Sequence, residues 1–336
     1  MSSGQSSDFH ASGAAVSRLE TQIIEKVCEP VLARLPRSIH PNTISLFTHL
    51  LCWVTAALAV SSAQLPPLLR SLALLGAGLG NFGIMVGDCL DGMQARRTNR
   101  CSKLGEMLDH WLDSVGVPLV TLGVTSALQL SPWLIVAVHV TSTMIYNAQL
   151  VLYYYSGKFV HPGTTGVDAQ LGVAFGYLVA AILFLLVDPA ARWLQILLMV
   201  ASLMAVLMQL RLNLFYYVRL RGRILHHLKF VALCGVAAAL YLIGAMDRLA
   251  FLLLEVLFSF RITGGYVQAT ILKRSFGGFD VPAALGLLAV TACYRFAPGL
   301  QLAGLPVLRA LPFLLCLYLV GRNLIELAGA YRQLKP

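Results

Sequence analysis

Long apolar runs are the feature that most restricts how this chain of 336 residues can fold. Ten such runs cover residues 44–62, 66–87, 105–127, 132–154, 169–187, 193–215, 228–246, 249–272, 281–298 and 306–328. As helices, which rise 1.5 Å per residue, they are long enough to cross a hydrocarbon layer of roughly 30 Å. The composition, 58% hydrophobic and 12% charged, excludes a soluble domain. The sequence therefore predicts an all-α, polytopic membrane helix bundle with about ten transmembrane helices.

Two segments precede the first apolar run. Residues 1–15 are rich in Ser, Gly and Ala, a composition that predicts disorder. Residues 16–40 place apolar side chains at helical spacing with charged side chains opposite them. We expect this segment to form an amphipathic helix that lies at the membrane interface, and residues 41–336 to form the membrane domain.

The distribution of basic residues predicts the orientation of the bundle. With ten spans, 19 Lys and Arg residues fall on the side that holds both termini, and five fall on the other side. Because basic residues concentrate in cytoplasmic loops, both termini and the segment between the second and third runs are expected in the cytoplasm. The membrane would be a bacterial inner membrane or that of the eukaryotic ER or Golgi. Topology thus accounts for the net charge of +10, and no nucleic-acid partner is expected.

An acidic cluster lies where the second run ends and the third begins. Its four aspartates form two pairs, spaced by three and by four residues: Asp88, Asp91, Asp109 and Asp113. At these spacings, both members of a pair project from one side of a helix. Like charges about 4 Å apart repel by roughly 4 kcal/mol at an effective dielectric near 20, so the cluster needs cations. Carboxylate oxygens favour Mg²⁺ or Mn²⁺, and two such ions can clamp a transferring phosphoryl group.

Small and basic residues accompany the aspartates. The small ones are Gly92, Ala95 and Gly105, and the basic ones include Arg96, Arg97 and Lys103. Small residues let a ligand approach the backbone, and cationic side chains bind a diphosphate. The local chemistry indicates phosphoryl transfer, and the competing interpretation is a helix hairpin with structural ion pairs.

The spacing Asp-x2-Asp-Gly-x2-Ala-Arg-x8-Gly-x3-Asp-x3-Asp, from Asp88 to Asp113, resembles the signature of the CDP-alcohol phosphotransferases at all eight fixed positions. The segments Gln-Ala-Arg-Arg-Thr and Asp-His-x2-Asp-Ser are most similar to the choline/ethanolamine phosphotransferase branch. The resemblance implies a homodimeric enzyme that transfers phosphocholine or phosphoethanolamine from CDP-choline or CDP-ethanolamine to a diradylglycerol and releases CMP.

The resemblance also implies roles for single residues. Asp88, Asp91 and Asp109 would hold two Mg²⁺ or Mn²⁺ ions, and Asp113 would share one of them or act as the base. The residues expected to contact the CDP-alcohol are Asn42, Gly92, Ala95, Arg96 and Gly105. Further candidates for substrate contact are Arg97, Lys103 and Asp168. For Asn42 and Asp168 the competing interpretation is a helix cap.

His110 is the residue on which the identity of the base depends. It lies three residues before Asp113, so both side chains can border one pocket. A neutral imidazole is a better base near pH 7 than a metal-bound carboxylate. A histidine that is only hydrogen-bonded to a neighbouring carbonyl group is the alternative.

Two other functions fit parts of the pattern. A phosphatidyltransferase would take CDP-diacylglycerol as donor and a soluble alcohol as acceptor; the ten runs and the Gln-Ala-Arg-Arg-Thr segment argue against it. A cation-binding transporter would spread its acidic residues over several spans at mid-depth, whereas here four fall in one short window.

Overall fold

The computed structural model describes residues 17–160, 162–163, 165–188, 190–302 and 305–334. Residues 1–15, which were predicted to be disordered, lie outside the described residues. The described chain starts with α1 (Arg18–Ile23) and α2 (Glu29–Arg34), which a π-helical turn, Ile24–Cys28, joins end to end. Their location at the membrane interface stays a prediction.

The bundle follows as eleven helices in the described part of the chain. In order they are α3 (Pro41–Ser62), α4 (Pro67–Arg97), α5 (Lys103–Ala127), α6 (Pro132–Ser156), α7 (Gly166–Leu186), α8 (Arg192–Leu220), α9 (Ile224–Leu242), α10 (Arg248–Phe258), α11 (Gly264–Ile271), α12 (Val281–Phe296) and α13 (Val307–Leu334). A 3-10 turn, Arg221–Arg223, separates α8 from α9, and a π-helical segment, Ser259–Thr263, joins α10 to α11. Two short strands, β1 (Gln301–Leu302) and β2 (Leu305–Pro306), pair antiparallel before α13.

The predicted all-α membrane helix bundle is confirmed, but the number of candidate spans differs from the prediction. Seven stretches of the described chain are long and apolar enough to cross a membrane. One of them, residues 192–242, holds both α8 and α9, because only the three-residue 3-10 turn Arg221–Arg223 separates these helices; Arg221 has a left-handed φ of 44°. α12 has only 16 residues, and polar residues lower the hydropathy of α5. Each of the ten predicted runs is nevertheless helical.

Glycines allow α4 to pack closely against α3. A Cβ atom on Gly80 would lie 2.2 Å from Thr55 Oγ1, and one on Gly87 would lie 2.1 Å from Thr48 Oγ1. These distances leave no room for a side chain, so both positions require glycine. The second contact lies directly before the acidic end of α4 and holds that end against α3.

α5 packs against both parts of the bundle. It contacts α3 on one side and α6, α10 and α11 on the other. On the second side, the buried Trp111 ring stacks on Phe260 with centroids 4.5 Å apart, and a Cβ atom on Gly264 would lie 2.0 Å from Trp111 Cδ1. The stretch that contains Phe260 and Gly264 is the most buried of the candidate spans.

A buried ion pair joins the helices of the carboxyl-terminal part. Arg261 Nε donates to Asp280 Oδ2 at 2.9 Å, and the Tyr318 hydroxyl donates to Asp280 Oδ1 at 3.1 Å. The same carboxylate accepts a hydrogen bond from the Ala283 backbone and so caps α12. Because removal of one partner would leave a buried charge uncompensated, this contact constrains the π-helical segment, α12 and α13 together.

We expect Gly87→Ala to weaken the packing of α3 on α4, because the new methyl group would overlap Thr48 Oγ1. Overpacking of this kind destabilises a protein by about 1–3 kcal/mol. Thr48→Ala removes the overlapping atom, so the double variant should recover part of the loss. The apparent melting temperature of the purified protein, in one detergent, measures the effect.

The matched control is Gly172→Ala on α7, where a Cβ atom would meet nothing within 4 Å. It should melt close to the wild-type temperature. Equal melting temperatures for Gly87→Ala and Gly172→Ala would contradict the close contact.

Candidate active site

A short turn brings the end of α4 next to the start of α5. Asn99 has a left-handed backbone with φ of 54°, and the Arg100 amide donates to the Ala95 carbonyl at 2.9 Å, which ends α4. The Ser102 hydroxyl accepts a hydrogen bond from the Gly105 amide at 3.0 Å and so begins α5. The acidic ends of the two helices therefore meet at one end of the bundle.

The four predicted aspartates converge across this junction. Oxygens of Asp109 and Asp113 and a ring nitrogen of His110 lie within 4.8 Å of one another. Asp88 and Asp91 lie close enough to both carboxylates for direct Coulombic repulsion. Asp91 is only 6% exposed, so water screens this repulsion weakly. Four carboxylates held together in this way fit hard divalent cations, which prefer oxygen ligands.

A cavity of about 380 Å³ opens beside the aspartates. The predicted site residues that line it are Asn42, Asp91, Gly92, Ala95, Arg96, Lys103, Gly105 and Asp109. α3 and α5 approach each other closely at one wall of the cavity, since a Cβ atom on Gly105 would lie 3.2 Å from Asn42 Oδ1. The cavity thus combines carboxylates, cationic side chains and residues without bulk, which together suit a phosphorylated ligand that carries divalent cations.

Two aspartates of the cluster, Asp88 and Asp113, do not line this cavity, and neither does His110 beside them. His110 Nδ1 lies 3.7 Å from Asp109 Oδ2, and its side chain is 25% exposed. The ring packs on Phe159 with centroids 4.6 Å apart. Within the described residues, no carbonyl group accepts a hydrogen bond from this ring; the Tyr146 hydroxyl instead donates to the His110 carbonyl at 3.1 Å.

Arg97, a predicted substrate contact, has other partners. Its guanidinium donates to carbonyl groups at the end of α2, including that of Leu35 at 2.7 Å, and fastens α2 to α4. It does not line the cavity. The prediction that Arg97 faces substrate therefore finds no support in its position.

Asp168 is also engaged away from the cavity. One carboxylate oxygen accepts a hydrogen bond from the Ser17 hydroxyl at 2.6 Å, and the other accepts from the Thr165 amide at 2.8 Å. Thr165 and Asp168 form a capping box at the start of α7. The structure thus gives Asp168 the helix-cap role that was its competing interpretation.

Two side chains at the site were missed in the sequence. Ser45 Oγ on α3 donates to Asp91 Oδ2 at 2.5 Å and orients that carboxylate. Glu106 lines the cavity and accepts a hydrogen bond from the Tyr153 hydroxyl at 2.8 Å. Helical spacing offered a signal for both, because each lies three residues from a predicted site residue on its own helix.

Fold and site together define an integral, multi-pass membrane protein with an acidic cluster at one end of its helix bundle. A sequence profile of the CDP-alcohol phosphatidyltransferase family matches residues 38–260, which contain the cluster and the residues that line the cavity. The chain therefore belongs to this family. The resemblance stated from the aspartate spacing is confirmed.

Three individual proteins illustrate the similarity. Cholinephosphotransferase 1 of Gallus gallus is 32% identical over 157 residues, which cover 45% of this chain and 46% of the relative. Cholinephosphotransferase 1 of Mus musculus is 31% identical over 185 residues, 49% of this chain and 46% of the relative. A CDP-diacylglycerol–serine O-phosphatidyltransferase of Encephalitozoon cuniculi (strain GB-M1) is 30% identical over 152 residues, 44% of this chain and 38% of the relative. The chain matches less than half the length of each of these relatives.

We expect Ser45→Ala to weaken the binding of a divalent cation by about 10–100-fold, because Asp91 loses the hydrogen bond that orients it. Titration of the purified protein with Mn²⁺, followed by electron paramagnetic resonance, measures the affinity. Ser61→Ala is the matched control, since this hydroxyl on the same helix donates to the Leu58 carbonyl. Equal Mn²⁺ affinity in the two variants would contradict the role of Ser45.

Proposed function

We propose that this protein transfers phosphocholine or phosphoethanolamine from CDP-choline or CDP-ethanolamine to a diradylglycerol and releases CMP. The observation that carries the proposal is the convergence of four aspartates beside a cavity with cationic and small residues in its walls. The similarity to the cholinephosphotransferases supports a CDP-alcohol as donor and a lipid as acceptor.

The aspartates are proposed to hold Mg²⁺ or Mn²⁺. Asp88, Asp91 and Asp109 are assigned as ligands, and Asp113 as a shared ligand or the base. Two bound ions would supply positive charge to the diphosphate of the donor and to the departing CMP. Ser45 supports this assignment, because its hydrogen bond fixes Asp91 from a neighbouring helix.

The residues that line the cavity are proposed to bind the nucleotide diphosphate. Arg96 and Lys103 supply cationic N–H groups to phosphate oxygens. Gly92, Ala95 and Gly105 leave the backbone accessible to the ligand. Asn42 lies on the wall formed with Gly105, where its amide can reach a bound nucleotide.

His110 is the proposed base. Its ring borders the acidic cluster and lies outside the donor cavity, a position from which it can meet a second substrate. The acceptor hydroxyl would lose its proton to His110 while its oxygen attacks the β-phosphorus. The bond from that phosphorus to the oxygen shared with CMP then breaks. Direct attack of this kind needs no covalent enzyme intermediate, and Asp113 is the alternative base.

The setting of the site is also part of the proposal. The excess of Lys and Arg on one side supports cytoplasmic termini and a cytoplasmic site, where a soluble CDP-alcohol is available. The assembly is proposed to be a homodimer on the strength of the family resemblance.

A CDP-diacylglycerol-dependent phosphatidyltransferase is the second candidate. The similarity to the serine phosphatidyltransferase favours it, because that relative's name includes CDP-diacylglycerol. Purified protein should be assayed with radiolabelled CDP-choline or CDP-ethanolamine plus diacylglycerol, and in parallel with CDP-diacylglycerol plus serine. We expect lipid product in the assay with CDP-choline or CDP-ethanolamine. If only the assay with CDP-diacylglycerol and serine gives product, the second candidate replaces our proposal.

Removal of divalent cations should abolish activity, because the four carboxylates would repel one another and the donor diphosphate. We expect activity to vanish in excess EDTA and to return with Mg²⁺ or Mn²⁺ in the radiolabelled assay. Ca²⁺, which is larger and less strict in geometry, should support little turnover. Full activity in excess chelator would refute the metal site.

His110→Ala should separate catalysis from binding. A base acts only while the acceptor loses its proton, so kcat should fall by roughly 10²–10⁴ while donor affinity changes only a few-fold. Asp91→Asn should lose metal and donor affinity as well as rate. Steady-state kinetics and calorimetric titration with the CDP-alcohol measure both effects.

His226→Ala is the matched control, since this histidine lies outside the site and contacts Tyr266. It should keep its turnover. If His110→Ala also keeps its turnover, while Asp113→Asn binds donor and metal normally but is inactive, Asp113 is the base.

A further inference from the structure

A second cavity, of about 630 Å³, lies beside the carboxyl-terminal ends of α6 and α8. It is lined by Leu152, Val160, Val218, Arg219 and Arg221. None of these residues lines the cavity at the aspartates. Three of the lining residues are aliphatic and two carry guanidinium groups, so the cavity is apolar with positive charge at its edge.

Most N–H groups of the two arginine side chains have no acceptor among the described residues. Arg219 uses one N–H on the Phe215 carbonyl at 3.0 Å, and its guanidinium lies 3.4 Å from the centre of the Phe215 ring. The Arg221 side chain has no hydrogen bond or ion pair with any residue that the structure describes. Because a guanidinium presents five N–H donors in a fork that matches phosphate, the pair lacks acceptors.

The charge around the cavity has one sign. Residues 211–229 contain five Lys and Arg residues and no Asp or Glu. One of the other basic residues, Arg223, lies 4.5 Å from the centre of the Tyr155 ring. A segment of this charge attracts an anion, and no acidic side chain within it competes for Arg219 and Arg221.

The surroundings favour a lipid as the source of that anion. Val218 is 64% exposed, and the nearby Leu214 and Leu225 are each 61% exposed. All three belong to the candidate membrane span of residues 192–242. Exposed aliphatic side chains on such a span contact acyl chains. Arg219 and Arg221 lie where α8 ends and the 3-10 turn begins, and arginines at a helix end can contact lipid headgroups. An anionic phospholipid carries both partners in one molecule.

We propose that this cavity binds an anionic phospholipid, whose phosphate accepts hydrogen bonds from Arg219 and Arg221 and whose acyl chains pack along Leu152 and Val218. The site is separate from the proposed transfer reaction and does not depend on it.

The position of the cavity connects it to His110. Val160 lines the cavity, while its neighbour Phe159 packs on the His110 ring at 4.6 Å. The Tyr216 hydroxyl donates to the Val160 carbonyl at 3.0 Å and ties α8 to the same segment. A bound lipid would therefore stabilise the segment that forms one side of the His110 environment.

Native mass spectrometry of the full chain in a neutral detergent, titrated with palmitoyl-oleoyl phosphatidylglycerol, tests the site. We expect one tightly bound lipid per chain. Arg219→Gln and Arg221→Gln should each weaken it about fivefold, and the double variant about 25-fold. Arg211→Gln is the control, because it removes the same charge from α8 outside the cavity and should change the affinity less than twofold.

Val218→Trp tests the cavity without a change of charge. Because Val218 is largely exposed, the chain should fold, and the indole should fill the space and abolish tight binding. Unchanged binding by Val218→Trp, or equal weakening by Arg211→Gln, would overturn the site. Equal affinity for phosphatidylcholine would overturn the anionic specificity, and displacement of the lipid by inorganic phosphate would reassign the site to a soluble anion. The measurement is one of binding, so it stands apart from the outcome of the transfer assay.

Discussion

Four carboxylates held together at one end of the helix bundle repel one another, and much of the surrounding structure keeps them in place. Asp88 and Asp91 come from α4, and Asp109 and Asp113 come from α5. Direct contact of α4 with α3 opposes their separation, because a glycine at position 87 allows the backbones to approach. Contacts between α3 and α4 thus help to position the carboxylates, and the divalent cations proposed for the site would offset their charge.

The residues of the sequence Gln94-Ala95-Arg96-Arg97 lie on two faces of α4, which have different contacts. Ala95 and Arg96 line the cavity. Gln94 Nε2 donates to the carbonyl groups of Pro36 and Ile39 at 3.0 and 2.9 Å, and Arg97 donates to the end of α2. The second face therefore holds the segment that leads into α3, whose first turn contains Asn42. This short motif therefore lines the cavity with one face and, with the other, holds the segment before Asn42, which lines the same cavity.

Helical periodicity made the fold class and the acidic helix faces predictable from the sequence. The features that it could not predict depend on contacts between residues that are far apart in the chain. The apolar runs predicted the helices, with residues 193–215 and 228–246 as separate runs, but they did not show that only a three-residue 3-10 turn, Arg221–Arg223, separates α8 from α9. Arg97 was assigned to substrate because it is basic and near the aspartates in sequence, yet each residue turns the helix by about 100°. Ser45 and Asp91 are 46 residues apart, and no local pattern reports such a contact.

The carboxyl-terminal part of the chain supports the site although it contributes no residue to the cavity beside the aspartates. His110 and Trp111 are neighbours on α5 that face different surroundings: the first borders the acidic cluster, and the second is buried against Phe260. The family profile ends at residue 260, but the π-helical segment that carries Phe260 is held by the ion pair of Arg261 with Asp280. Because Trp111 stacks on that segment, the rotation of α5, and with it the position of His110, depends on helices beyond the family match.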